Sequence, residues 1–110
     1  MTMSNIKGLP EGRYFTEIGY SQSYAWKVIK ETAKTVTLAL VEVNPDPDFE
    51  PEFEPGGFCA HCTNQSAQTW LFYRVDMEHQ KTIRKTKKGW SYMGTRFAEH
   101  RARHFYDWNF

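Results

Sequence analysis

The chain has 110 residues, 40% apolar, 16% aromatic and 25% charged, a globular composition of one-domain size that excludes wholesale disorder, collagen-like repeats and coiled coil. Its 14 basic and 13 acidic residues leave a net charge of +1, which argues against binding a polyanion through bulk charge. No apolar run approaches the ~18 residues of a membrane span, and no charged segment followed by an apolar stretch marks a signal peptide, so a cytoplasmic protein with no membrane partner is expected.

Residues 1–11 show no periodicity and read as a flexible terminus ending in a turn at Pro10-Glu11-Gly12. A single β domain is expected over 12–110. Strands are predicted at Arg13 to Ile18, at Tyr24 to Lys30 by alternation, and at Thr35 to Val43 by β-branched content, the last two joined by a hairpin turn at Glu31 to Lys34. Residues 44–57 hold four prolines and five carboxylates without a basic residue, and read as an extended acidic arm. Its acids recur at every second position (Asp46, Asp48, Glu50, Glu52, Glu54), with Phe49 and Phe53 between them. An extended chain would place the carboxylates on one face and the rings on the other.

Phe58 to Gln68 reads as a polar loop, Thr69 to Val75 as a strand, Asp76 to Gln80 as a turn, Lys81 to Thr86 as a strand and Trp90 to Met93 as another. Thr95 to His104 is predicted to be a short C-terminal helix, N-capped by Thr95, with Ala98, Ala102 and Phe105 on one stripe. The aromatic tail, residues 105–110, is expected to pack onto the sheet. The expected fold is therefore mainly β: a small, strongly bent antiparallel sheet, or an SH3-like or OB-like barrel, of five to six strands with that helix.

The charge balance conceals an asymmetry. Residues 1–68 carry five basic and nine acidic residues, and residues 69–110 nine basic and four acidic. In the second half cations and rings interleave: Lys81, Arg84, Lys85, Lys87, Lys88, Trp90, Tyr92, Arg96, Arg101 and Arg103. Cations neutralise phosphates and exposed rings stack on unpaired bases, so this segment is a candidate nucleic-acid surface. The plainer reading is rings in the core of a small β domain and solvated cations. The arm, from Asp46 to Glu54, is a candidate protein-binding element that would present its carboxylates and two phenylalanines to a basic partner. It could equally be a solvated loop or fold back on the basic segment.

Cys59-x-x-Cys62 with His100-x-x-x-His104 has the ligand types and local spacings of a zinc site, although the gap between the pairs far exceeds that of a compact finger. The alternative is two reduced cysteines in a packed loop and two solvated histidines. No glycine-rich phosphate loop, nucleophile elbow or metalloprotease motif occurs, so an enzyme is not expected.

The run Pro55-Gly56-Gly57-Phe58-x-x-His61-Cys62-x-Asn64-Gln65-x-x-Gln68-x-Trp70, with the ending Phe105-Tyr106-Asp107-Trp108-Asn109-Phe110, resembles a family of small single-domain β proteins encoded by bacteriophages. The resemblance implies an accessory protein of the bacterial host cytoplasm that binds nucleic acid or inhibits a host defence or nucleic-acid-handling enzyme. It also implies that Phe58, His61, Asn64, Gln65, Gln68 and Trp70 form a loop site. The helix histidines lie outside that pattern.

Overall fold

The computed structural model describes residues 3–56 and 59–109. In chain order the strands are β1 (Met3–Ser4), β2 (Ile6–Lys7), β3 (Tyr14–Ile18), β4 (Ser23–Glu31), β5 (Thr35–Pro45), β6 (Phe53–Gly56), β7 (Cys59–Cys62), β8 (Trp70–Thr86), β9 (Gly89–Tyr92), β10 (Thr95–Glu99) and β11 (Arg101–Ala102). One 3-10 turn spans Gln65–Ala67. Seven strands form a mixed sheet in the order β2-β8-β5-β4-β3-β10-β9, and β9 also pairs with β8. The pairings β8, β5, β4, β3, β10, β9 thus close a ring, antiparallel throughout, with β2 attached parallel to β8 outside it. The protein is mainly β, and no helix among the described residues is long and apolar enough to cross a membrane.

Strand parity divides the apolar residues between two cores. Phe15 pairs with Trp26 and Trp26 with Leu40, and this face gathers Val36, Leu38, Ile83 and Phe97 inside the ring. The alternate residues, Tyr14, Ala25 and Val41, face outward and are covered by Ile6 and Ala102. Phe15 and Leu38 are fully buried, and each such side chain contributes roughly 1.5–3 kcal/mol. The second core explains why residues 3–7 run beside the sheet. Residues expected to be flexible run as β1 beside β11 and β2 beside β8, because Ile6 fills a space that the sheet's outer face leaves open.

The predicted C-terminal helix is absent. Thr95–Glu99 is a strand held between β3 and β9, with Phe97 opposite both Glu17 and Trp90, and the hydrogen bonds of two neighbours outweigh a modest helical preference. His100, at φ 60, then turns the chain into β11. The strands predicted on either side of Asp76 to Gln80 are one strand of 17 residues. The predicted turn is a wide bulge. Gln80 faces Ala39 and Asp76 faces Leu40, so Met77, Glu78 and His79 loop out, held by Asp76, which accepts from the Glu78 amide at 3.0 Å and contacts His79 Nδ1 at 2.6 Å.

The arm is partly a strand as well. Phe53–Gly56 pairs with Cys59–Cys62 in a two-stranded ribbon, which accommodates Pro55 because a ribbon edge needs no donor from it. Cys59 to Cys62 accordingly belongs to a strand and not to a loop.

Candidate functional site

The cations of residues 81–96 come together where β8, β9 and β10 lie side by side. Arg84 is opposite Ser91 and Ser91 opposite Arg96, so the two arginines share the outer face with a hydroxyl between them. On the inward parity Lys85 lies over the Trp90 ring at 5.8 Å. Lys87 and Lys88 project from the β8–β9 turn, which ends in Gly89 at φ 113, a conformation glycine adopts freely. A cleft of about 300 Å³ between this turn and the next is lined by Thr86, Lys88, Ser91 and Arg96, with Gly89 and Gly94 at its walls and no carboxylate.

Lys81 differs from this group. Its ammonium lies over Trp26 at 5.1 Å and Tyr92 at 5.5 Å, and 3.4 Å from Glu17, so its charge is already answered. Trp90 is half-buried, sits edge-on to Phe15 and donates its indole N–H to Glu99 Oε1 at 2.9 Å. That bond, with the Arg13 guanidinium beside it, holds the Glu99 carboxyl below the usual range. Trp90 is therefore a core residue, and Tyr92 is the one exposed ring of the set. Arg101 and Arg103 line a different cleft, of about 320 Å³, with Ser4 and Asn5, and Arg103 lies over Phe105. Arg84, Lys85, Lys87, Lys88, Arg96, Arg101 and Arg103 form no ion pair among the described residues.

The arm leaves that surface uncovered and docks at its N-terminal end on Lys7 and the aromatic tail. Lys7 contacts Asp46 at 2.7 Å and Asp48 at 3.4 Å, and the Phe49 ring packs on Trp108 with centroids 5.7 Å apart. Asp46 is buried, so the five carboxylates do not share an exposed face. Asp48, Glu50, Glu52 and Glu54 are exposed, with Phe53 at 48% exposure.

Of the expected loop site, Asn64, Gln65, Gln68 and Trp70 are held in a structural clamp. Gln68, 1% exposed, donates to the carbonyls of Gln65 and Tyr106 and accepts from the Tyr106 amide and the Trp70 indole. Gln65 accepts from the Trp108 amide, and Asn64 bonds the arm backbone at Glu50 and Glu52. Asn109 in turn bridges both backbone groups of Cys62. His61 is exposed opposite Glu54 on the ribbon, and Phe58 lies outside the described residues.

The zinc arrangement loses the helix that would have aligned its histidines. His100 is exposed at its turn, 3.4 Å from Glu99. His104 is packed edge-on against Trp70 with centroids 4.4 Å apart, and burial pushes its pKa down to about 4. Cys62 is a buried free thiol, and the Cys59 side chain lies outside the described residues. Among the described residues no group of three or more His, Cys, Asp or Glu side chains is placed to hold a metal ion.

Sequence spacing gives no sign of one further feature. Phe49, Trp70 and Trp108 converge with Pro45 and Pro51 around a cleft of about 170 Å³. Its walls come from the arm, the start of β8 and the tail, which are remote from one another along the chain. In comparisons of the chain with family models, curated proteins and solved structures, nothing matches.

Proposed function

We propose that the protein is a non-enzymatic module that engages single-stranded nucleic acid through the outer surface of β8, β9 and β10. The observation that carries this reading is the row Arg84, Ser91, Arg96, with Lys87 and Lys88 on the adjoining turn, none of which has an acidic partner among the described residues. Unpaired cations beside hydroxyl groups suit phosphate oxygens. We read the closed ring as a small barrel of the SH3-like or OB-like kind. With the resemblance to phage proteins, the proposed setting is the cytoplasm of a bacterial host.

The test is a salt titration with single-stranded DNA and RNA oligonucleotides. Binding at low salt should weaken in the Arg84→Glu/Arg96→Glu double variant, and the log–log salt slope should fall by about 0.7 for each phosphate no longer neutralised. No binding by the wild type at low salt removes the reading.

A second reading, in which the protein inhibits a host enzyme, is favoured by the exposed Glu50, Glu52, Phe53 and Glu54, which carry no cation partner among the described residues. It confines the protein-binding element to the ribbon end of the arm.

A further inference from the structure

We propose that the cleft among Phe49, Trp70 and Trp108 is a binding site for a small quaternary ammonium group. Three aromatic side chains line it, one from the arm, one from β8 and one from the tail, and Pro45 and Pro51 complete an apolar wall. Trp70 and Trp108 stack nearly parallel, 9° apart, with centroids separated by 6.4 Å, so a head group in the cleft would lie beside this pair and not between its rings. Aromatic faces carry negative potential and attract a cation that sheds its water readily. At about 170 Å³ the space suits a head group of a few carbon atoms and not a drug-sized ligand.

Charge and hydrogen bonding narrow the ligand class. Beside the cleft Lys7 is answered by Asp46 and Asp48, and the exposed Glu50 lies in the chain between the lining residues Phe49 and Pro51, a local excess of negative charge that disfavours phosphates and nucleic acid. The polar atoms of the wall are already engaged. Asp46 Oδ2 accepts from Lys7 and from the Thr69 hydroxyl, both at 2.7 Å, Asp46 Oδ1 accepts from the Asp48 amide, and the Trp70 indole donates to Gln68. A primary ammonium would enter with three N–H groups to satisfy and few acceptors to take them. A trimethylammonium head brings the charge without the donors.

The probes are choline, tetramethylammonium and 3,3-dimethylbutan-1-ol, the last being choline with carbon in place of nitrogen, read by the indole N–H resonances of Trp70 and Trp108. Choline and tetramethylammonium should shift both resonances saturably, and the neutral alcohol should bind roughly tenfold more weakly. Trimethyl-lysine amide against lysine amide shows whether the head group is also taken from a side chain. Phe49→Leu keeps the apolar volume and should weaken choline, and Glu50→Gln, at an exposed position, should do so without affecting the fold. Equal affinity for the neutral alcohol, or shifts that fail to saturate or that bypass Trp70 and Trp108, overturns the proposal. These outcomes are independent of the nucleic-acid titration.

Discussion

Lys7 Nζ lies 2.7 Å from Asp46 Oδ2, and the Asp46 side chain is only 1% exposed. This pair ties the root of the acidic arm to the strand β2, so the arm spends a carboxylate on the N-terminus and leaves the cations of β8, β9 and β10 open.

The pair makes stability depend on acid. Hydrogen bonds from Lys7, then Thr69, then the Asp48 amide lower the Asp46 pKa from 3.8 to about 2. A carboxyl with a folded pKa below its unfolded one contributes stability above the unfolded value and loses it as pH falls toward the folded value. Thermal melts should therefore drop between about pH 4 and pH 2, and Asp46→Asn should flatten that limb. An acid limb in the variant that superimposes on the wild type would exclude the pair as its cause.

A second limb belongs to His104. Burial lowers its pKa from 6.5 to about 4, so the folded state binds fewer protons than the unfolded chain across that range. Stability is full above about pH 6.5 and decreases as pH falls toward 4, by about 1–3 kcal/mol in all. His104→Phe should keep the packing on Trp70 and abolish this dependence, as measured by urea unfolding at successive pH values.

Gln68→Leu should release the tail. The substitution leaves the Tyr106 amide and carbonyl and the Trp70 indole without their partner, a loss of about 2–4 kcal/mol if the tail stays docked. Detachment offers the tail an escape through water. Proteolytic cleavage near Tyr106 and a red shift of tryptophan emission, at temperatures where the ring remains folded, are the expected signs; a protease-resistant tail would contradict the clamp.

The β9–β10 turn offers a stabilising change. Tyr92 pairs with Thr95 across Met93 and Gly94, whose φ values of 47 and 85 describe the doubly left-handed turn favoured in two-residue hairpins. Met93 is 88% exposed and poorly suited to that conformation. Met93→Asn should raise stability by about 0.5–1 kcal/mol, and Gly94→Ala should lower it by a similar amount. Denaturant midpoints measure both, and a destabilised Met93→Asn would argue against the turn geometry.

Strands whose evidence is local could be read directly from the residues. Alternation at Tyr24 to Lys30 and β-branched density at Thr35 to Val43 marked β4 and β5, because each strand must turn one row of side chains into a core. The opposed charges of the two halves were equally legible. The fate of Thr95–Glu99 depended on the folded chain, since β3, one of the two strands that hold its backbone, is remote in sequence. The same folding also decided that Ile6 packs on the outer face of the sheet, that Gln65 and Gln68 clamp a tail some forty residues away, and that Asp46 answers Lys7. Side-chain partners at such separations are set by how the sheet closes and which face remains to be covered, and neither quantity is written in the local pattern of residues.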